Sequence, residues 1–246
     1  MGAADVILIF AAGLVAGTMN AVVGSGSLVT FPTLLALGYP PVVANVSNTI
    51  GLVPGSVSGA IGYREKLRGM SRPIGRLVPW CAGGALVGGV LLLALPDTVF
   101  ETIVIALIAL AIVLVLAQPL LLRERGTNRR TTWMLPVAMA AASVYGGYFG
   151  AAQGVIYIAI LSILLTEDLQ LANAIKNVLA AVVNGAAAVL FAFASEPNWT
   201  VVGLIAAGSI VGGQLGARVG RKLPPALLRV VIVAVGIAAI IKVLTD

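Results

Sequence analysis

Runs of apolar residues long enough to cross a bilayer follow one another from end to end of this sequence, and no other feature restricts its fold as strongly. A hydrocarbon core about 30 Å thick takes about 20 helical residues to span. Segments near that length fall at about 6–23, 41–61, 74–95, 98–122, 132–151, 169–194, 199–217 and 225–244. Inside the bilayer the backbone must satisfy its own hydrogen bonds, which leaves helices or a closed barrel. The runs are near-continuous in Leu, Ala, Val and Ile rather than alternating apolar and polar, and that excludes the barrel. Only 10% of the 246 residues are charged and the mean hydropathy is +1.08. A soluble domain carries about 25% charged residues and needs them to cover its surface. The expected fold is an all-α, multi-pass integral membrane protein of the cell (inner or plasma) membrane, with the lipid bilayer as its main partner.

The same residues narrow the function by exclusion. Met1-Gly2-Ala3-Ala4-Asp5 has no basic stretch ahead of the first apolar run, so that run reads as a retained helix rather than a cleaved signal. Cys81 is the single cysteine and there is no histidine. No disulfide can form within the chain, and the usual metal ligands and neutral-pH proton shuttle are missing. Neither metal nor cofactor is expected. With no paired carboxylates inside the apolar runs and no activated Ser or Cys, an enzyme is not expected either. The net charge of +6 sits in short loops, where the positive-inside rule explains it without nucleic acid.

Two apolar stretches, 27–37 and 155–165, are too short for an ordinary span at 1.5 Å per residue. Each follows a flexible break, Gly24-Ser25-Gly26 and Ala152-Gln153-Gly154, and reads as a short, broken or re-entrant helix. A shift of 128 residues relates them and also carries Gly26 to Gly154, Ala44 to Ala172, Asn45 to Asn173 and Leu95-Pro96 to Leu223-Pro224. A shift of 124 takes Val87-Gly88-Gly89 to Val211-Gly212-Gly213. The chain thus reads as two copies of one unit, 1–122 and 132–246, joined by a basic cytoplasmic linker at 123–131 (Arg123, Arg125, Arg129, Arg130). In the first copy the cations Arg64, Lys66, Arg68, Arg72 and Arg76 occupy one loop. The corresponding loop of the second, Ser195-Glu196-Pro197-Asn198, has none, whereas Arg218, Arg221 and Lys222 precede its Leu-Pro turn. Cations mark the cytoplasmic side, so corresponding loops lie on opposite faces. That predicts two inverted-topology repeats, with about eight long helices and two short ones, and a substrate near the midplane.

Polar residues inside the spans are the candidate site. Asn45, Asn48 and Thr49 share one helix face at i, i+3 and i+4, and the shift of 128 gives Asn173, Lys176 and Asn177 the same spacing. Ser56 and Asn184 extend the two stripes. Such amides and hydroxyls also tie membrane helices together, at about 0.6–2 kcal/mol each. Lys176 stands apart, because an ammonium in the bilayer core costs about 3 kcal/mol or more. Its structural alternative is snorkelling to the interface, about two turns away. A cation flanked by amide donors suits a small anion. A short helix that begins at membrane depth adds free N–H groups and a positive dipole end, with Ser25, Gly26, Ser27, Gln153 and Gly154 around the two breaks. The breaks, at 24–27 and 152–155, are expected to be non-helical and to face one another near the centre. With neither histidine nor a clear buried carboxylate an obvious proton relay is missing, so the reading leaves open a facilitated carrier or one coupled to H⁺ through Lys176 or to Na⁺. A homodimer is one oligomeric form open to such a chain.

Several of these motifs resemble one family. Gly13-Leu14-Val15-Ala16-Gly17, the break through Gly24-Ser25-Gly26, Phe31-Pro32 and Gly38-Tyr39-Pro40 resemble the TauE/SafE sulfite-exporter family. So do the return of the pattern around Gly147–Gly154 and the late Gly208-Ser209-Ile210-Val211-Gly212-Gly213-Gln214-Leu215-Gly216 followed by Leu223-Pro224. The resemblance covers the whole chain. It implies transport, most often export, of sulfite, an organosulfonate or a related sulfur-containing anion. The competing reading is a passive channel, since aquaporins also pair inverted repeats, half-helices and asparagines at this size. Neither half contains Asn-Pro-Ala, however: the sequence reads Asn45-Val46-Ser47 and Asn173-Ala174-Ile175.

Overall fold

The computed structural model describes residues 1–121, 133–166 and 168–218, together with Val230, Ala234 and Ile237. The regular elements among them are all helices: α1 (Ala3–Val22), α2 (Ser27–Ala36), α3 (Pro41–Gly62), α4 (Ser71–Ala94), α5 (Asp97–Leu121), α6 (Met134–Tyr148), α7 (Gln153–Leu164), α8 (Leu169–Ala194) and α9 (Trp199–Arg218). Helices α1, α4, α5, α8 and α9 are long and apolar enough to cross a bilayer. At 22 residues α3 is as long but more polar. α6 has 15 residues, shorter than the expected 132–151, because the backbone leaves the helix at Phe149. The linker at 123–131, Arg221, Lys222, the Leu223-Pro224 turn and most of the segment 225–244 lie outside the described residues.

Local chemistry sets the helix ends. Pro41 opens α3 at a position where its missing N–H costs nothing. The Asp168 carboxylate caps α8, accepting from the Gln170 N–H at 2.8 Å and the Leu171 N–H at 3.2 Å. Large apolar side chains such as Phe193, Ile7 and Val189 point outward, as lipid-facing residues do.

Glycine decides how the long helices meet. A Cβ built on Gly208 would lie 2.3 Å from the Phe10 carbonyl oxygen, on Gly212 2.0 Å from that of Leu14, and on Gly17 2.4 Å from that of Ser209. α1 and α9 therefore touch backbone to backbone, with both numberings rising in the same direction. The α4–α6 pair is built the same way. A Cβ on Gly84 would meet the Ala140 oxygen at 2.4 Å, on Gly88 that of Val144 at 2.0 Å, and on Gly147 that of Ala85 at 2.1 Å. Close backbone approach lets dispersion hold helices that gain nothing from a hydrophobic effect in lipid. α3 also runs parallel to α9, with Gly51 on Ile205, Gly55 on Ser209 and Gly62 on Ala217. Against α8 it runs antiparallel, with Ser56 at Asn184 and Gly59 near Asn177.

This packing also places the loops. The Gly62–Ala217 contact puts the ends of α3 and α9, hence Arg64 and Arg218, at the same end of the protein. The cation-free loop before α9 lies farther back along α3, where the Asn198 N–H donates to Ser47 Oγ at 2.9 Å.

Candidate functional site

Two helices stop inside the protein, and both stop in the same way. At the end of α1 the N–H groups of Val23 and Gly24 converge on the Met19 carbonyl at 2.7 and 3.0 Å. At the end of α6 those of Phe149 and Gly150 converge on Tyr145 at 2.9 and 3.1 Å. Gly24 (φ 85°) and Gly150 (φ 75°) supply the left-handed residue such a stop needs. The first break lies at 23–26, one residue earlier than the expected 24–27, because Ser27 already opens α2. The second lies at 149–152 rather than 152–155, because Gln153 and Gly154 already form the first turn of α7. Ala152 carries the left-handed turn into that helix (φ 58°).

The breaks touch. Gly154 N–H donates to the Gly24 carbonyl at 2.9 Å, and a Cβ on Gly24 would fall 2.4 Å from Gly154 Cα. Neither position admits a side chain. Gly26 is equally confined, since its Cβ would lie 2.4 Å from the Ala16 oxygen. Ser25 and Gln153 flank the crossing, both buried, and among the described residues neither Ser25 Oγ nor Gln153 Nε2 is within hydrogen-bonding distance and angle of a partner. In a protein interior an unpaired polar atom is costly and calls for an explanation.

The two polar stripes reach these breaks by crossing over. Asn173 Nδ2 and Asn177 Nδ2 on α8 both donate to the Ala21 carbonyl at the end of α1, at 3.0 and 3.2 Å. Lys176 Nζ donates to the neighbouring Asn20 carbonyl at 2.5 Å and to Asn177 Oδ1 at 3.1 Å. On the other side, Asn45 of α3 donates to the Tyr148 carbonyl at the end of α6, at 2.9 Å. The last carbonyls of a helix lack intrahelical partners and carry its negative dipole end, and these side chains supply the missing donors. Asn48 turns elsewhere. Its Nδ2 donates to Ser27 Oγ at 3.1 Å and its Oδ1 accepts from Thr30, tying α3 to the start of α2. Thr49 is buried beside it. The stripes bond to each other at one described point, where Asn184 Nδ2 donates to Ser56 Oγ at 3.4 Å.

Lys176 does not snorkel. It is 0% exposed, its stem packs on Gly154 (Cδ lies 2.9 Å from a Cβ built there), and its ammonium points at the end of α1. Among the described residues no carboxylate pairs with it, so its charge is met by carbonyl dipoles alone.

Sequence reasoning missed Asn20. Its carbonyl receives Lys176, and its own Nδ2 donates to Ser56 Oγ at 3.1 Å, linking the lysine to the Ser56–Asn184 contact. The available signal was an amide four residues before the glycine break in an otherwise apolar helix. Tyr145 braces the second break through a 2.7 Å hydrogen bond from its hydroxyl to the Ala151 carbonyl. Among the described residues no cluster of His, Cys, Asp or Glu could hold a metal ion.

Comparison with known proteins gives a consistent result. Residues 9–243 match the family model described as "Sulfite exporter TauE/SafE". A "Probable membrane transporter protein" of Haemophilus influenzae is 28% identical over 241 residues, covering 97% of this chain and 94% of the relative. "Probable membrane transporter protein YfcA" of Escherichia coli K12 is 27% identical over 243 residues, covering 97% and 89%. "Probable membrane transporter protein ORF9" of a Sinorhizobium species is 25% identical over 240 residues, covering 97% and 92%. No solved structure matches the chain.

Proposed function

The chain belongs to the TauE/SafE sulfite-exporter family, and from that premise we propose that it is a secondary transporter that exports a small anion, sulfite or an organosulfonate, by alternating access. The observation that carries this reading is Lys176. A fully buried ammonium without a carboxylate partner among the described residues leaves a net positive charge in the membrane interior, and such charges are rare outside solute paths. An ammonium has three donors. Asn20 and Asn177 take two of them, which leaves one N–H for a ligand. Ser25 Oγ and Gln153 Nε2, both unpartnered and each one residue from the Gly24–Gly154 contact, add two more donors. A sulfonate presents three oxygens and no hydrogen, so a set of donors matches it.

Alternating access at this site rests on inverted repeats, 1–122 and 132–246. The glycine contacts support them. A shift of 124 takes Gly84, Ala85 and Gly88 to Gly208, Ser209 and Gly212, and a shift of 130 takes Phe10, Leu14 and Gly17 to Ala140, Val144 and Gly147. The three contacts of α4 on α6 thereby become the three of α9 on α1. Ser56 and Asn184, related by 128, lie against one another where a pseudo-two-fold axis would pass. The antiparallel run of α3 and α8, equivalent helices under this scheme, fits inversion of the second copy.

Counterflow in proteoliposomes tests the function. Vesicles loaded with unlabelled sulfite should transiently accumulate external labelled sulfite, and a sulfonate such as sulfoacetate should compete. Flux that equilibrates without exchange would favour a channel, and no anion-dependent accumulation across a panel of sulfur oxyanions would overturn the assignment.

A further inference from the structure

We propose that the groove between α3 and α8 at the basic end of the protein binds an anionic phospholipid of the cytoplasmic leaflet, with Arg64 holding the phosphate. The groove has a volume of about 470 Å³. Val57, Ala60 and Ile61 line one wall and Val178, Ala181 and Val182 the other, with Arg64 as its single charged residue. Val57 and Ile61 are 44% and 51% exposed. In a chain that spans the membrane, side chains of this kind on the outer surface face acyl chains. Arg64 lies just past the end of α3, and among the described residues its guanidinium has no partner.

Charge complementarity selects the lipid. Lys66, Arg68, Arg72 and Arg76 follow Arg64 in the same connection and first turns of α4, against one acid, Glu65. Arg218 lies at the same end. A guanidinium presents a planar fork that matches phosphate oxygens. Basic pockets between membrane helices on the cytoplasmic side recognise anionic headgroups in this way.

A second groove provides an internal control. It lies between α4 and α6, has nearly the same volume, about 460 Å³, and is lined by Pro79, Trp80, Val87 and Val144 among others, without a cation. The two grooves are alike in size, and only the first has a cation in its lining. The lipid would lie along the two helices that carry the polar stripes, on the outer side of the Ser56–Asn184 contact. It would therefore set the spacing of those helices without touching the transported solute.

Native mass spectrometry of the full chain released from nanodiscs of equal phosphatidylglycerol and phosphatidylethanolamine tests this. The wild type should retain phosphatidylglycerol about tenfold over phosphatidylethanolamine. Arg64→Gln should abolish the preference, and Ala60→Trp, which fills the groove, should remove the bound lipid. Val87→Trp in the control groove should change neither. Equal retention of the two lipids by the wild type would overturn the proposal, and that measurement needs no variant to fold. So would an Ala60→Trp protein that keeps its lipid, or one that changes oligomeric state instead, which would assign the groove to a second copy. The readout is lipid retention, so it stands whether or not sulfite is the solute.

Discussion

The end of α1 and the end of α6 are two versions of one construction, and they differ in charge. Each is a helix stopped by a left-handed glycine, braced by backbone contact with a long partner helix, and capped by side chains from the far half of the chain. At α6 the cap is a neutral amide, Asn45 on the Tyr148 carbonyl. At α1 it is two amides and an ammonium, Asn173 and Asn177 on Ala21 with Lys176 on Asn20. The comparison separates what the fold requires from what the proposed anionic solute would require. An amide is enough to stop a helix inside a membrane. An ammonium adds a charge that costs several kcal/mol to desolvate, a cost that the proposed anion site would explain.

The largest expected effect tests whether the two ends are braced alike. Gly88→Val and Gly212→Val each place atoms about 2.0 Å from a carbonyl oxygen of the partner helix. Backbone cannot yield as a flexible side chain does, so the cost should exceed the usual ~1–3 kcal/mol of overpacking. Both variants should fail to accumulate as folded protein, measured by fluorescence-detected size exclusion. If only one fails, the two supports are not equivalent.

Lys176→Met sharpens the charge difference. It deletes two hydrogen bonds, worth about 1.5–3 kcal/mol each when charge-assisted, but also relieves the burial of an ammonium, which is at least as large. The melting temperature should stay level or rise while anion exchange falls at least ~100-fold, or about 2.7 kcal/mol. Lys176→Arg, which keeps the charge but not its shape, should retain more exchange than the methionine variant. Normal exchange in folded Lys176→Met would move the site to Ser25 and Gln153.

A smaller contrast follows from redundancy. Asn45 is the side-chain donor on Tyr148, whereas Ala21 receives two amides. Asn45→Ala should therefore cost about 1–2 kcal/mol and Asn173→Ala less than about 1, read as the difference in thermal unfolding of the two variants. Equal losses would mean that the second donor on Ala21 adds nothing.

Much of this architecture could be read from the residues, because membrane burial makes length and polarity informative. Among the described residues, segments of Leu, Val, Ile and Ala near 20 residues became helices, and Gly24 stopped α1 where its freedom at positive φ suggested it would. The second break was placed three residues late. Gln153-Gly154 resembles the first motif, but the residue that meets the backbone requirement is Gly150, with Ala152 forced into the same region. Asn45, Asn173, Lys176 and Asn177 stood out as polar atoms in apolar runs. Their partners did not, because they are main-chain carbonyls at helix ends more than 100 residues away, and a carbonyl has no signature in sequence. Lys176 shows the limit well. Position alone allowed an outward path to the interface, and only the packing of its stem on Gly154 turned it inward.

The crossed glycine contacts bear on ancestry. On the inverted-repeat reading, the first helix of each copy has its groove in the other copy, α1 on α9 and α6 on α4. A single unit made alone would expose that glycine ridge and leave the end of its first helix uncapped, since the amides that cap it also come from across. The unit that was duplicated would then have been complete only as an antiparallel pair, two identical chains inserted in opposite orientations. On that reading, joining them would have removed the need to insert both ways. It would also have freed the copies to diverge, so that the position holding Asn48 in one could hold Lys176 in the other, a difference that no pair of identical chains can express.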